Sequence, residues 1–217
     1  QWALLLFILG TINVIYGAVS ALAQHDLKYV IGYSSVSHMG YVLMGIASME
    51  VLGVTGAAMQ MFSHGIMTAL FFAMVGVIYQ RTHSRDITIL EGLGKRMGIT
   101  GVFLAVAGLT SLGLPGFSSF VAELLIFIGT YRTYPILGVL AVIGAAITAV
   151  YILRMLGKVF FGPIDEERWK DLTDANRMET GVAVLLTGFL LLWGLYPFRI
   201  VEIIDSGVVP IMERFGS

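Results

Sequence analysis

The chain has 217 residues, of which 57% are hydrophobic and 12% charged, with a formal net charge of −1 and no cysteine. An ordinary soluble domain carries about 25% charged residues, so the composition is that of an integral membrane protein. The near-zero charge gives no bulk attraction to nucleic acid. The lack of cysteine excludes disulfides and a cysteine-ligated iron–sulfur cluster. No metal-ligand spacing, glycine-rich nucleotide fingerprint or nucleophile motif is present, and the chain is expected to hold no cofactor or metal.

The first apolar run, residues 2–23, starts at once after Gln1. No basic region precedes it, so a signal peptide is not expected; upstream sequence, or another polypeptide, is expected to precede it. A second span, about 29–49, is the uncharged interval between Lys28 and Glu50. The third is expected at about 55–80, with Gly53 and Gly56 assigned to the preceding turn. Residues 97–131 hold one charge, Glu123. As a single helix this stretch would measure about 50 Å, against roughly 30 Å of hydrocarbon. Gly113-Leu114-Pro115-Gly116 offers the break, because proline removes a backbone donor and clashes with the preceding turn. The fifth and sixth spans are expected at about 133–153 and 180–198, and the tail 203–215 along the membrane interface. The expected fold is thus all-α, with six transmembrane spans and one broken helix at Gly113–Gly116.

Six spans sort the basic residues. Lys28, Arg81, Arg85, Lys95, Arg96, Arg154, Lys158, Arg168, Lys170 and Arg177 fall on one side, and Arg132, Arg199 and Arg214 on the other. The positive-inside rule makes the richer side cytoplasmic or its organelle equivalent.

Three titratable residues lie deep inside spans: His38, His64 and Glu123. Ionisable groups in hydrocarbon are costly and face protein or water. Glu123 has Ser119 at i−4, with Ser118 beside it, and follows the Pro115 break. A carboxyl set between apolar surroundings and a nearby cation can load and release a proton; the alternative is a fixed ion pair. His64 has Gln60 at i−4 and Thr68 at i+4, a stripe that suits a proton relay or an interhelical hydrogen bond. His38, with Ser34 at i−4 and Tyr41 at i+3, is a point of proton uptake or a structural histidine. Asn13, Tyr16 and Ser20 read as packing. Lys28 reads either as snorkelling to headgroups or as an aid to proton uptake.

The run Asp26-Leu27-Lys28-Tyr29-Val30-Ile31-Gly32-Tyr33-Ser34-Ser35-Val36-Ser37-His38-Met39-Gly40 resembles the signature of the antiporter-like membrane subunits of respiratory complex I. Ser35-Val36-Ser37-His38-Met39-Gly40 and Tyr79-Gln80-Arg81-Thr82-His83-Ser84-Arg85-Asp86 are similar to the M-type subunit, the counterpart of mitochondrial subunit four. Ser63-His64-Gly65, Leu114-Pro115-Gly116 and Phe120-Val121-Ala122-Glu123 fit in order and spacing. The resemblance implies two inverted five-helix repeats, with this chain holding the second, at 1–160, and a loop, last helix and tail at 161–217. It implies relay roles for His38, His64 and Glu123, supported by Lys28, Ser119 and the Pro115 break. The glutamate and lysines of the first repeat have no counterpart here.

The function so implied is that of a proton-translocating membrane-arm subunit of an NADH:quinone oxidoreductase, with no redox catalysis of its own. Flavin, iron–sulfur clusters and quinone are expected in partner subunits. The partners include other membrane-arm subunits and a polypeptide or segment carrying the first repeat. A bacterial plasma membrane or an organellar inner membrane would house it. The rival readings are a subunit of a multi-subunit sodium/proton antiporter or related membrane hydrogenase, and a non-pumping scaffold.

Overall fold

A computed structural model describes residues 2–215. Gln1, from which the expectation of upstream sequence was read, and the last two residues of the 161–217 segment lie outside the described residues. Eight α-helices follow in chain order: α1 (Ala3–Ala23), α2 (Leu27–Ala47), α3 (Val51–Thr82), α4 (Gly98–Ser111), α5 (Ser118–Thr133), α6 (Pro135–Phe160), α7 (Arg177–Leu195) and α8 (Pro197–Arg214). Five of them, α1, α2, α3, α6 and α7, are long and apolar enough to cross a membrane. The all-α, membrane-spanning fold class expected from composition is the one observed.

Local chemistry sets the boundaries. Asp26 caps α2 by accepting from Lys28 N at 2.7 Å, and its other carboxylate oxygen meets Arg85 Nε at 3.3 Å. Asn176 and Glu179 form a reciprocal capping box that starts α7. Pro135 and Pro197 each sit in the first turn of a helix, α6 and α8. The residue before a proline is driven out of the helical region, and Tyr134 (φ −138°, ψ 86°) and Tyr196 (φ −124°, ψ 59°) mark those junctions.

Two expectations need correcting. Gly53 and Gly56 are not turn residues: they belong to α3, which runs 32 residues from Val51. Their use is close approach. A Cβ on Gly129 of α5 would lie 2.6 Å from the Gly53 Cα, and one on Gly56 would lie 2.8 Å from the Ala122 carbonyl oxygen. Only small residues let two backbones meet this closely. The sixth apolar interval also ends earlier than expected, at Leu195, because Pro197 opens α8. All of the 203–215 tail but Phe215 lies in α8, an 18-residue helix tied to α3 by a hydrogen bond from the Thr55 hydroxyl to the Asp205 carboxylate.

The stretch 97–131 is broken, as its length required. Helix α4 ends at Ser111, and α5 starts at Ser118. Between them Gly113 (φ 64°) and Gly116 (φ 102°) adopt the left-handed region that glycine tolerates, with Pro115 between them. The largest buried cluster joins Leu27 and Ile31 of α2 to Met67, Leu70, Phe71, Met74 and Ile78 of α3. Leu90 and Leu93, between α3 and α4, also enter this cluster.

Candidate functional site

Packing of α2, α3 and the two half-helices brings the three buried titratable residues together. His38 is fully buried, Glu123 is 4% exposed and His64 is 9% exposed. The ring centroids of His38 and His64 are 5.3 Å apart. His38 Nδ1 lies 3.5 Å from Glu123 Oε1, close enough for an ion pair and too long for a good hydrogen bond. His38 is thus close to both His64 and Glu123. The sequence offered His38 as a point of proton uptake or a structural histidine; the structure sets it beside Glu123.

Both nitrogens of His38 are engaged. Nε2 lies 2.9 Å from the Ser111 hydroxyl, at the last residue of α4, and Nδ1 lies 3.2 Å from Gln60 Nε2. An amide nitrogen only donates, so Nδ1 accepts from Gln60 and the ring proton sits on Nε2, donated to Ser111. A second proton has to arrive at Nδ1, the atom that faces Glu123. Glu123 Oε1, His64 Nδ1 and Gln60 Oε1 are buried with no hydrogen-bond partner among the described residues. Buried polar atoms are nearly always satisfied, so these three concentrate capacity for a proton or a bridging water at one place.

The break makes room for this. A Cβ on Gly113 would lie 2.5 Å from Glu123 Oε2, so the glycine leaves space for the carboxylate as well as for the turn. Ser118 and Ser119, close to Glu123 in sequence, have a partner other than its carboxyl. They converge on the Ser63 hydroxyl of α3, at 2.6 and 2.8 Å, and so anchor the start of α5. Thr68 bonds back to the His64 carbonyl at 2.7 Å, which takes it out of the polar stripe. Lys28 is exposed at the start of α2 and is not part of the cluster. The titratable side chain within reach of Glu123 is His38.

Three participants escaped sequence reasoning in their roles. Ser111 and Tyr151 were not singled out, because they lie 73 and 113 positions from His38 and carry no charge in the apolar run. Gln60 was read only as part of the His64 stripe. Tyr151 of α6 donates to the Ser34 hydroxyl at 2.8 Å, and both are buried.

The family described as "NADH:quinone oxidoreductase/Mrp antiporter, TM" matches residues 1–148. NAD(P)H-quinone oxidoreductase chain 4 1 of Synechococcus elongatus is 42% identical, with all of this chain covered and 42% of the relative. A chain 4 of Prochlorococcus marinus is 38% identical, with 99% of this chain and 40% of the relative covered. This chain thus spans about two fifths of the length of these relatives. Among solved structures, respiratory complex I from Thermus thermophilus with bound NADH superposes with a TM-score of 0.90 at 28% identity, covering 98% of this chain and 45% of that chain. The Mrp complex from Dietzia sp. shares the fold, with a TM-score of 0.88 at 19% identity over 99% of this chain and 48% of that one. The likeness read from residues 26–40 and 79–86 agrees with these matches, and the chain belongs to the NADH:quinone oxidoreductase/Mrp antiporter transmembrane family.

Proposed function

We propose that this chain is the second antiporter-like half of a membrane-arm subunit of an NADH:quinone oxidoreductase, and that it carries protons through His64, His38 and Glu123. The observation that supports the reading best is the burial of these three groups together near the break between α4 and α5. Broken helices with a buried acid are how membrane proteins build transport sites, because freed backbone groups are tolerated only beside protein or water.

The cycle follows from the tautomer. A proton reaching Nδ1 of His38 displaces the Gln60 amide and makes a charge-assisted contact with the Glu123 carboxylate. Transfer to the carboxylate leaves a neutral imidazole and a neutral acid. Release from Glu123 toward the sparsely basic end of the bundle resets the pair. Carrying one charge fully across 100 mV costs about 2.3 kcal/mol, so the relay has to be driven by a charge change nearby in the assembly. The flavin, iron–sulfur clusters and quinone belong to other subunits in this reading, and this chain performs no electron transfer.

Residues 1–160 form the second repeat in this reading, and 161–217 the connecting loop, last crossing helix and tail. The end with ten basic residues faces the cytoplasm of a bacterium or the equivalent organelle compartment. Partners are the other membrane-arm subunits and the bearer of the first repeat. The chain-4 relatives, at 38–42% identity, favour this over a sodium/proton antiporter, for which the Mrp likeness supports the fold alone. The test is Glu123→Gln in the assembled complex. Fewer protons moved per electron are expected; an unchanged stoichiometry overturns the assignment.

A further inference from the structure

Gln60 of α3 is fully buried and in contact with both partners of the proton step. Its Nε2 lies 3.2 Å from His38 Nδ1, to which it donates, and its side chain also interacts with the Glu123 carboxyl. Nδ1 and Glu123 Oε1 are 3.5 Å apart. One end of this amide is in use and the other is idle, since Gln60 Oε1 is buried with no hydrogen-bond partner among the described residues. A buried acceptor left unpaired is costly. The other titratable groups near the pair are His64 of α3, Tyr41 of α2 and Tyr151 of α6. Both phenols donate elsewhere, Tyr41 to the Ala141 carbonyl at 3.3 Å and Tyr151 to Ser34 Oγ at 2.8 Å. Helix α4 has no titratable residue, the charged residues of α7 are in its first turn, and Asp205 of α8 is bonded to Thr55.

We propose that Gln60 is the positioning residue that lets this buried pair carry charge, with its amide nitrogen for the Glu123 carboxylate and its oxygen for the His38 imidazolium. This rests on the reading of His38 and Glu123 as a relay, and names the group that stabilises the charged states of that relay. A carboxylate only accepts, an imidazolium only donates, and an amide has one end for each. Before a proton arrives, Nε2 serves Nδ1 and the carboxylate, and Oε1 has no partner. Once Nδ1 is protonated, its N–H faces the amide N–H groups, donor against donor. Half a turn about the last side-chain bond, a broad two-fold torsion, presents Oε1 to Nδ1–H and keeps Nε2 for the carboxylate. The proton then crosses: the Nδ1–H bond breaks, an O–H bond forms on Glu123, and no electrons are exchanged. The amide turns back, donating to the bare Nδ1 and accepting from the new O–H. Hydrogen bonds to ionised partners are roughly twice as strong as neutral ones, so Gln60 favours the charged forms over the neutral ones. The oxygen orphaned in the empty pair is the one the imidazolium needs.

The test follows Glu123 by infrared difference spectroscopy of the assembled complex across a pH series, its protonated-carboxyl band identified by loss in Glu123→Gln. Gln60→Met keeps the length of the side chain and removes both ends of the amide. In Gln60→Met the band is expected to persist to higher pH by about one unit, a roughly tenfold tighter hold on the proton. Proton uptake at matched electron flow is expected to fall at neutral pH and to recover as the pH is raised, because release from Glu123 is then restored. Loss of packing alone would lower uptake at every pH and leave the band where it is. A band that titrates at the wild-type pH overturns the role of Gln60, whatever the uptake. Should Gln60→Met fail to assemble, Gln60→Asn decides: its amide is one carbon too short to reach both partners, and the same rise is expected. Wild-type uptake in Glu123→Gln overturns the relay, and this role with it.

Discussion

Asp174 caps Thr100 across 74 positions of sequence: its Oδ1 accepts from the Thr100 backbone nitrogen at 3.1 Å and the Thr100 hydroxyl at 2.7 Å, while Oδ2 takes Ile99 N at 2.7 Å. Helix α4 has no capping side chain of its own at Met97, so the loop before α7 supplies one. Asp174→Ala is expected to cost about 1–2 kcal/mol, and Asp174→Asn less; thermal melting of the solubilised complex measures both. Partial burial works to raise the Asp174 pKa, but the bonds from Thr100, Ala175 and Ile99 outweigh it and hold the carboxyl below its usual range. A depressed folded pKa gives stability that is complete above the unfolded value of about 3.9 and is lost as the pH falls through the folded one. The gap between wild type and Asp174→Ala should therefore be constant at neutral pH and narrow only below about pH 4. A gap that narrows at pH 6 argues against this account.

Ser63 is the knot that ties the middle of α3 to the first residues of α5, through the hydroxyls of Ser118 and Ser119. Hydrogen bonds between membrane helices contribute about 0.6 kcal/mol on average and up to about 1.7 kcal/mol. Ser63→Ala removes two and is expected to lower stability by about 1–2 kcal/mol. Chemical denaturation in mild detergent reads this directly, and an unaltered midpoint would show that the serines carry no tension between the two helices.

Gly56 lets α3 lie against α5 one turn from the residue that matters. A Cβ there would meet the Ala122 carbonyl oxygen, the Ile126 nitrogen and the Leu125 Cβ, each at 2.8 Å. Two of these are backbone atoms, so the helices have to separate. Gly56→Ala is expected to destabilise by about 1–3 kcal/mol and to move Glu123 away from His38, lowering proton transfer although no polar atom is lost. Gly65→Ala, where nothing lies within 4 Å of the added carbon, is the control and should behave as wild type.

Much of this was legible in the sequence, for one physical reason: a charge in an apolar run is conspicuous. Glu123, His38 and His64 stood out that way, and the excess length of residues 97–131 beside Gly113-Leu114-Pro115-Gly116 required the break. What stayed hidden was neutral or small. Ser111 and Tyr151 carry no charge, and their value comes from partners far away in sequence. Gly53 and Gly56 were taken for a turn because glycine weakens an isolated helix, whereas in a membrane bundle it is what lets helices touch.

Helix α7 has only two buried residues, Ala183 and Leu190. Yet Gly194 near its end meets the backbone of Gly116 and Phe117 so closely that a Cβ would lie 2.2 Å from the Gly116 oxygen. The contact covers the backbone of Gly116 and Phe117 at the α5 side of the break, and unsatisfied peptide groups are not tolerated in lipid. Helix α7 is therefore insulation. It touches neither Glu123 nor the histidines in any bond described above, and damage to it should show as leakage of ions through an otherwise working conductor, not as a blocked one.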